Sequence, residues 1–424
     1  MERRSKDRFE DAVSDTVIGE SDVNWIIGFN PSPQRHCITE TEKPLPVPPH
    51  SDVPMRELFR HVLKPSRRIF EVTVPVLQPR HGYAGLLNAR TVEVGSCLSG
   101  LKQYPTISAA IAAVPPGSTI KVCPATYSEQ ITISQSLTLT GVTTGNGFSV
   151  IIQGPTADVF SQYLGSTVHA QILVNNGASV NITNLTVDGT GICSEPFANV
   201  YYAQSSGTLN HVVIRNDVQG GVTQCGTGAW IENDVNNPLT TTIQNSSLYN
   251  LAQGVLAVSE STPASFAASV TSNFFNSLAG AAIHYWNATG TASHNVSSNA
   301  LYGAVTENST VVTISGNTFI GAGAYAISLG SNGNTVTGNQ LFSNPHAIVV
   351  SGNNNTIQGN KITSNNLGGN EMGIVGGCSS SVTGNTISGN TITDLFFGIY
   401  AIPPGNTVKN NTYYDVGTTV YTCQ

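Results

Sequence analysis

The chain has 424 residues, of which 18 are Lys or Arg and 25 are Asp or Glu, and its formal net charge is −7 at pH 7. Charged residues make up only 10% of the sequence, and they form no basic stripe. These features argue against a nucleic-acid-binding protein. No apolar run reaches the length of a membrane span.

The first 90 residues differ in composition from the rest of the chain. They hold 13 of the 18 Lys and Arg and 12 of the 25 Asp and Glu, which leaves 5 and 13 for residues 91–424. They also contain the proline-rich run 44–49 and show no hydrophobic periodicity. We therefore predict a charge-dense, largely disordered segment over 1–90 and one folded domain over 91–424.

The folded domain begins with a predicted helix. Ile107, Ala110, Ile111 and Val114 recur at helical spacing, and the run Pro-Pro-Gly at 115–117 ends the pattern. No later segment has helical periodicity of useful length. A helix across the open end of a stack of strands would shield their exposed edges, so we predict that it is a cap.

From residue 270 onward, asparagines recur at a nearly constant interval, each three positions after an apolar residue. The spacings between them are 22, 22, 22, 21, 30 and 21 residues. Such a period is typical of a solenoid, in which each repeat is one coil that buries its apolar face against its neighbours. Stacked asparagines hydrogen-bond along the axis, so we assign this ladder to architecture. Its members are Asn273, Asn295, Asn317, Asn339, Asn360, Asn390 and Asn411.

Between these asparagines, short β-branched runs alternate with clusters of Gly, Asn and Ser, which predicts about three short strands per coil. The same frame extends backward to Asn184, Asn216 and Asn245, with larger spacings of 28 to 32 residues. The extra residues are expected to leave the coil as loops. We therefore place the long loops, and any binding cleft, at roughly 155–265.

The run 104–133 resembles the start of right-handed parallel β-helix proteins of the pectin-lyase-like superfamily. Its part through Tyr127 and Glu129 is similar to the first motif of pectin methylesterases, with Ala125 where that motif has Gly. The later Gly-Asn-Thr-Ile repeats look like those of NosD-type and alginate-epimerase-type proteins. The resemblance covers about 95–424 and implies an all-β fold, a single-stranded right-handed parallel β-helix of about 10–12 coils with an N-terminal α-helical cap.

The resemblance does not select one activity, because this fold hosts lyases, hydrolases, esterases, epimerases and adhesins. The catalytic motifs of pectin methylesterases, polygalacturonases, pectate lyases and alginate epimerases are missing from the sequence. Residues 344–347 read Asn-Pro-His-Ala where epimerases have Asp-Pro-His-Asp. Two functions stay open: an exported protein that binds, and in one version modifies, an extracellular acidic polysaccharide, and a non-catalytic surface adhesin or structural scaffold.

Alignment of the apolar strands on Ala229, Gly254, Ala282 and Ala304 brings polar and aromatic residues together on one face within about three rungs. Carboxylates beside an imidazole suit acid–base chemistry, and aromatic rings offer a sugar an apolar face. The alternative is a solvated sheet face that deters pairing with other chains. The candidate catalytic residues are Glu232, Glu260, His284 and Glu307. The candidate substrate-binding residues are Trp230, Tyr285, Trp286 and Arg215.

Arg215 is the only arginine after residue 90 and belongs to a second, weaker group with His211 and Asp188. A guanidinium there would suit the carboxylate of an acidic sugar. The alternative is a structural salt bridge with Asp217.

Seven cysteines are present, an odd number. Cys97 and Cys123 bracket the predicted cap helix, and Cys193 and Cys225 are 32 residues apart, which matches the spacing of two early rungs. Both pairs are therefore predicted to form disulfides. Paired cysteines predict an oxidising compartment, and hence a secreted or cell-surface protein, although no run before Cys97 reads as a secretion signal.

The pairing of Cys378 with Cys423 is left open, because about two coils, roughly 10 Å, separate their positions. No spacing matches a zinc or calcium site, and no glycine motif for phosphate is present, so we expect no metal and no cofactor. The expected partner is a polysaccharide or a cell-surface glycan. We expect no nucleic acid, no membrane span and a monomeric state.

Overall fold

The computed structural model describes residues 88–143, 149–189, 196–216, 218–219, 223–224, 226–234, 239–260, 266–364 and 371–423. Residues 218–219 and 223–224 are described by their backbone alone. All these residues lie in the second of two units of the chain, His81–Gln424. The predicted segment 1–90 lies almost wholly outside them, as do Cys193, Asp217 and Cys225, and the predictions for these residues stay predictions. No helix in the described ranges is long and apolar enough to cross a membrane.

The described residues form one helix and a long series of strands. The helix is α1 (Ile107–Ala113). The strands are β1 (Thr91–Val94), β2 (Lys102–Tyr104), β3 (Ser118–Val122), β4 (Ala125–Ser128), β5 (Ile131–Ile133), β6 (Leu137–Gly141), β7 (Val150–Gln153), β8 (Ala157–Ser161), β9 (Ser166–Val174), β10 (Ser179–Asp188), β11 (Phe197–Ala203), β12 (Ser206–Arg215), β13 (Val218–Gln219), β14 (Thr223–Gln224), β15 (Thr227–Glu232), β16 (Thr240–Gln244), β17 (Ser247–Leu251), β18 (Gln253–Val258), β19 (Ala267–Thr271), β20 (Phe274–Trp286), β21 (Thr289–Ser293), β22 (Val296–Glu307), β23 (Val311–Ser315), β24 (Thr318–Ile320), β25 (Tyr325–Leu329), β26 (Thr335–Thr337), β27 (Gln340–Phe342), β28 (His346–Val350), β29 (Thr356–Gln358), β30 (Lys361–Thr363), β31 (Met372–Gly376), β32 (Thr386–Ser388), β33 (Thr391–Ile402), β34 (Thr407–Lys409) and β35 (Thr412–Thr422).

Parallel pairing stacks most of these strands into three sheets, whereas β8 pairs antiparallel with β9, and β13 and β14 form a separate antiparallel pair. Sheet A comprises β1, β3, β6, the first parts of β10 and β12, β16, β19, β21, β23, β26, β29, β32 and β34. Sheet B comprises β4, β7, the last parts of β10 and β12, β17, the first parts of β20 and β22, β24, β27, β30 and the first parts of β33 and β35. Sheet C comprises β5, β9, β11, β15, β18, the last parts of β20 and β22, β25, β28, β31 and the last parts of β33 and β35. The coil predicted from the asparagine period is confirmed.

Helix α1 lies at the N-terminal end of the coil and confirms the predicted cap. The Thr106 hydroxyl accepts a hydrogen bond from the Ala109 N–H at 3.1 Å, and Val114 returns to an extended backbone, so the helix spans 107–113. Its buried residues, Ile107, Ala110 and Ile111, are those that the periodicity identified, and they join the main core.

The asparagine ladder is present as predicted. The Asn317 side chain is fully buried and makes four hydrogen bonds: its Oδ1 accepts from the backbone and the amide of Asn295, each at 2.9 Å, and its Nδ2 donates to Asn339 Oδ1 and to the Ala292 carbonyl. A second ladder, which the sequence analysis missed, lies at the corner between the end of sheet C and the start of sheet A. Its members are Asn334, Asn355, Asn385 and Asn406.

The backward extension of the ladder was wrong in detail. Asn184 and Asn245 lie one residue before the ladder position and adopt left-handed backbone conformations, with φ of 57° and 50°. The position itself is occupied by Ser246, whose N–H donates to Asn273 Oδ1 at 3.0 Å. Asn216 follows the sheet B part of β12 and so lies at a different corner. Asparagine suits both kinds of position, because its side chain tolerates positive φ.

Two disulfides link the described cysteines. Cys97–Cys123 was predicted, and its Cα atoms are 5.7 Å apart. Cys378–Cys423 also forms, with its Cα atoms 5.6 Å apart. The loop between β31 and β32 has nine residues, 377–385, whereas the preceding loop in the same position has five, 351–355. The longer loop allows Cys378 to reach past the next rung.

The register of sheet C differs by one residue from the predicted one at two rungs. Ala229 pairs with Val255, and Ala304 pairs with Ile283. Both rungs contain the sequence Gly-Ala, so two small residues compete for one place in the stack. A Cβ on Gly303 would lie 2.7 Å from the Phe319 ring, so the glycine takes the crowded position. A one-residue slip exchanges the faces of a strand, which matters for the site.

Candidate functional site

The outer face of sheet C is partly covered by an antiparallel hairpin. Strands β8 and β9 pair from Ala157–Ala170 to Ser161–Ser166, and β9 then continues into the parallel stack beside β11. We call residues 161–165 the tip. The chain reverses there through Gly165, which has a positive φ of 61°. Phe160 and Leu164 are exposed, whereas Tyr163 is half-buried against the sheet.

The tip is attached to the sheet at Glu232, a side chain that is only 1% exposed. Its carboxylate accepts hydrogen bonds from the Ser161 hydroxyl at 2.7 Å and the Gln162 N–H at 2.8 Å, with a longer bond from the Tyr163 N–H at 3.4 Å. From the sheet it accepts hydrogen bonds from the Tyr201 hydroxyl at 2.6 Å and from the Trp230 indole N–H at 3.2 Å. Burial raises the pKa of Glu232, and the hydrogen bonds from Tyr201 and Ser161 oppose that rise.

Aromatic rings meet beneath the tip. The Tyr163 ring makes edge-to-face contacts with Trp286 at 5.4 Å and with Trp230 at 6.4 Å between centroids. Trp230 also packs on Tyr201, with 5.6 Å between ring centroids, and is 3% exposed. It therefore supports the site from within the packed layer. Trp286 is partly exposed, and its ring is accessible from solvent.

His284 and Glu307 form a hydrogen-bonded pair beside Trp286. The distance from His284 Nε2 to Glu307 Oε2 is 2.9 Å, and the side chains are 8% and 33% exposed. The His284 ring also lies 6.3 Å from Trp286. Glu232, Val258, Trp286 and Glu307 occupy the same position of four successive strands, so Glu232 lies three rungs, about 14 Å, from Glu307.

A second acidic group follows β15 and β18. Asp234 accepts a hydrogen bond from the Gln204 amide at 2.9 Å and one from the Glu260 N–H at 2.8 Å, while its own N–H donates to Gln204 Oε1 at 2.8 Å. These bonds fix the backbone of Glu260 next to Asp234. The Glu260 side chain is exposed, and its pKa is raised first by partial burial and then by the charge of Asp234.

The Tyr163 hydroxyl lies within electrostatic range of three of these carboxylates. Its pKa is raised to about 12, chiefly by burial and then by the charges of Glu307, Glu260 and Glu232. The phenol therefore stays neutral at physiological pH and remains a hydrogen-bond donor. The hairpin thus sets the Tyr163 ring against Trp230 and Trp286 of sheet C, within the electrostatic influence of carboxylates from three rungs.

Tyr285 does not lie on this face. Its ring is fully buried in the interior of the coil, and its hydroxyl donates to the carbonyls of Thr291 at 2.8 Å and Ala268 at 3.2 Å. A ring without exposed surface cannot stack on a sugar, so the prediction that Tyr285 contacts substrate was wrong. The cause is the one-residue register difference described above, which places Tyr285 inward and Trp286 outward.

Arg215 lies away from the site, in the sheet B part of β12. Its Nε donates to Asp188 Oδ2 at 2.9 Å, and its Nη1 lies 3.3 Å from the Tyr249 hydroxyl. Asp188 and Arg215 are register partners on adjacent strands. The structure therefore brings Glu232, Glu260, His284, Glu307, Trp230 and Trp286 together, and separates Arg215 from them.

Sequence reasoning missed Tyr163, Asp234 and Gln204. A signal for the hairpin exists in the β-forming residues Val159 and Phe160, the turn ending at Gly165 and the apolar run that follows, which together are typical of two strands joined by a short loop. No comparable pattern indicates that the tip turns back onto a strand 70 residues later, at Glu232.

Two other features carry less chemistry. A shallow groove of about 310 Å³ between sheets B and C is lined by Leu278, Ala300, Leu301 and neighbouring small residues, and none of its lining side chains is ionisable. Glu93 lies close to the Cys97–Cys123 sulfurs, which is the one cluster of metal-binding residue types in the described ranges. Both sulfurs are joined in the disulfide and are not free to bind a metal.

Comparison with known proteins agrees with the fold. A family model described as a right handed beta helix region matches residues 227–387 and 302–423. No curated protein matches the chain.

Among solved structures, the catalytic unit of a GH87 α-1,3-glucanase from Streptomyces thermodiastaticus has a TM-score of 0.53 at 15% identity, with 74% of this chain and 60% of that chain covered. A mannuronic acid specific polysaccharide family 6 lyase from human gut microbiota has a TM-score of 0.51 at 13% identity, with 77% and 87% covered. DFA-IIIase from Arthrobacter chlorophenolicus A6 has a TM-score of 0.50 at 15% identity, with 77% and 94% covered. Identities this low establish a shared fold alone. The chain has the fold of a right-handed parallel β-helix, and its part from 227 to 423 matches the family model of that region.

Proposed function

We propose that this protein binds a neutral polysaccharide on the outer face of sheet C and hydrolyses a glycosidic bond there. The observation that carries the proposal is the contact of the Tyr163 ring with the partly exposed Trp286, beside which the His284–Glu307 pair lies, with the exposed Glu260 just after the neighbouring strand β18. Aromatic faces and hydrogen-bonding polar groups are the two elements that a sugar-binding surface needs.

The charge of this face favours a neutral sugar over the acidic one expected from the sequence. None of the described strands of sheet C contains a Lys or Arg, whereas Glu232 and Glu307 lie on it, and Asp234 and Glu260 directly follow it. A polyuronide would bring its own carboxylates towards these groups, and like charges across an interface are unfavourable. Arg215, the residue chosen to hold an acidic sugar, is engaged with Asp188 on another sheet.

Two carboxyl groups take the two proton-transfer roles in this hydrolysis. Glu260 is the general acid, since its raised pKa keeps more of it protonated, and it donates that proton to the leaving glycosidic oxygen. Glu307, held by His284, accepts a proton from the water that attacks the anomeric carbon. One bond to the leaving oxygen breaks, one bond to water forms, and the proton count balances. Glu232 is assigned to structure, because five donors already occupy its carboxylate.

The comparisons support a role with carbohydrates in a limited way. Three proteins of the same fold are described as a glucanase, a lyase and DFA-IIIase, so the coil is compatible with chemistry on sugars. The disulfides Cys97–Cys123 and Cys378–Cys423 support an oxidising compartment, and hence a secreted or cell-surface location.

A glycan panel tests the proposal. The full chain is incubated with neutral glucans, galactans and mannans and with polyuronides. Binding is measured by affinity electrophoresis, hydrolysis by new reducing ends and lyase activity by absorbance at 235 nm. We expect binding and reducing ends with a neutral glycan. Turnover should be lost in Glu260→Gln and Glu307→Gln and kept in Asp415→Asn, a substitution in the last coil at a positive-φ position that Asn tolerates.

The outcomes separate the alternatives. Products from polyuronides alone would refute the assignment of a neutral substrate. Binding without new reducing ends would refute hydrolysis and favour the adhesin. Binding to no glycan would favour the structural scaffold.

A further inference from the structure

The hairpin tip has an unusual attachment to the rest of the protein. Three hydrogen bonds join it to sheet C, from the Ser161 hydroxyl and from the N–H groups of Gln162 and Tyr163, and each of them ends on Glu232. Within the tip, the Leu164 N–H also donates to the Ser161 hydroxyl at 3.2 Å, which ties the turn to the same point.

Glu232 is itself held from the sheet side. The Tyr201 hydroxyl and the Trp230 indole N–H both donate to Oε2, the oxygen that also accepts the Ser161 hydroxyl. The carboxylate therefore bridges two elements that are about 70 residues apart in the chain. Since the side chain is 1% exposed, water cannot replace a lost partner without entering the contact between tip and sheet.

The outward side of the tip offers little to hold it in place. Phe160 is 62% exposed and Leu164 is 41% exposed, so these two apolar side chains point away from the sheet rather than into it. On the inward side, the described contact is the ring of Tyr163 against Trp286 and Trp230. The position of Tyr163 thus depends on the hydrogen bonds to one carboxylate and on its own ring packing.

We propose that Glu232 is a positioning residue, which latches the hairpin tip onto sheet C and thereby sets Tyr163 over Trp286 as one wall of the glycan site. This inference rests on the proposed function for the identity of the site, but the latch itself is a property of the free protein. Glu232 touches neither the reacting oxygen nor the attacking water. It affects sugar binding by fixing the position of Tyr163.

The latch is tested first without any glycan. The variant Glu232→Gln keeps the shape of the side chain but presents an NH2 group to one set of donors. Trp25→Phe leaves only Trp230 and Trp286 of the three tryptophans as fluorophores. In that background we expect a red-shifted emission and stronger acrylamide quenching in Glu232→Gln, because the tip no longer shields the rings. Hydrogen exchange should speed up at the amides of Gln162 and Tyr163 by at least about tenfold.

A matched control is Asp188→Asn, which removes another buried carboxylate that pairs with Arg215 on sheet B, away from the tip. It should change neither the emission nor the exchange at residues 162–163. A cooperative thermal transition in both variants shows that the coil is intact. If the coil of Glu232→Gln does not fold, Ser161→Ala, which removes one donor, is expected to give a smaller shift in the same direction.

Unchanged emission, quenching and exchange in both Glu232→Gln and Ser161→Ala would overturn the latch. With a bound neutral glycan, the latch predicts a KM at least about tenfold higher in Glu232→Gln with a smaller change in kcat, and partial recovery in Glu232→Asp. An equal loss of kcat and kcat/KM would instead make Glu232 catalytic and refute positioning. If no glycan binds the wild type but the exchange changes, the proposed function fails and the latch stands.

Discussion

The early and late coils of this β-helix use their buried polar side chains differently. From β23 to β35, buried amides stack in two ladders, and each satisfies backbone and side-chain groups of the next rung, as Asn339 does with Asn360 at 2.9 Å. From β9 to β22, the most extensively bonded buried polar group is a carboxylate, Glu232, which bonds outward to a hairpin. One set of polar groups holds rungs together, and the other holds an added element over a face.

The difference shows how one fold combines stability with a site. Late rungs repeat every 21 or 22 residues, apart from one of 30, and their outer faces contain few ionisable groups. Early rungs tolerate the hairpin and longer loops because the backbone stack continues beneath them, from Val200 through Ala229 to Val255. Function can therefore be added at the surface of the early coils without changing the core.

The largest expected effect comes from a late-coil ladder. In Asn317→Ala, four hydrogen bonds disappear, and buried groups of Asn295, Ala292 and Asn339 each lose a partner. We expect the free energy of unfolding to fall by about 3 to 5 kcal/mol. Urea denaturation followed by circular dichroism measures it.

The matched control is Asn411→Ala, at the half-buried end of the same ladder, where three hydrogen bonds join it to Asn390 and Ile387. Its cost should be about 1 to 2 kcal/mol, because solvent can reach the groups that it leaves unpaired. Equal costs at the two positions would mean that the ladder adds no stability beyond ordinary surface hydrogen bonds.

The disulfides close both ends of the coil, and they give the next largest effect. Cys97–Cys123 spans 26 residues and Cys378–Cys423 spans 45. Loop entropy predicts losses of about 3.5 and about 4 kcal/mol in the Cys97→Ser/Cys123→Ser and Cys378→Ser/Cys423→Ser proteins. The same denaturation experiment measures both. A far larger loss at the capped N-terminal end would show that the helix depends on its disulfide for docking.

The late coils could be predicted well because their contacts repeat with the period of the chain. The spacing of 22 residues alone placed Asn317 beside Asn339, and helical spacing alone identified the buried residues of α1. Local pattern and global fold agree in these segments. The second ladder through Asn334 and Asn355 follows the same period. It was not predicted, because the pattern used to find the first ladder required an apolar residue three positions before each asparagine.

The early coils could be predicted only in part, for two physical reasons. The Gly-Ala pairs at 228–229 and 303–304 offer two small residues for one crowded position, and the Phe319 ring against Gly303 decides the register, which spacing cannot reveal. The contact between Tyr163 and Glu232 joins residues 69 apart, a separation unrelated to the coil period. Glu232, Glu307 and His284 were found because they lie on strands, whereas Tyr163 was missed because it lies on the hairpin.

A smaller effect should appear in glycan binding. Trp286→Ala removes the accessible ring beneath the hairpin, so we expect affinity for the neutral glycan to fall by about tenfold, or about 1.4 kcal/mol. Phe396→Ala is the control, because it removes a ring that is 45% exposed in the late coils. Affinity electrophoresis measures both. A comparable loss in Phe396→Ala would place sugar contacts outside the early coils and undo the division between the two regions.

The smallest expected effect concerns the pH profile of hydrolysis. Glu260 acts as an acid, so kcat/KM falls as pH rises through its pKa, which partial burial and the charge of Asp234 hold above the ordinary glutamate range. Asp234→Asn removes that charge and lowers the pKa of Glu260. The alkaline limb of the profile should therefore move to lower pH, although only part of the way, because burial is the larger cause and remains. Asp188→Asn, on sheet B, should leave the limb in place. If the alkaline limb of the Asp234→Asn profile stays in place or moves to higher pH, another group donates the proton. Glu260 would then not be the general acid of the site in the early coils.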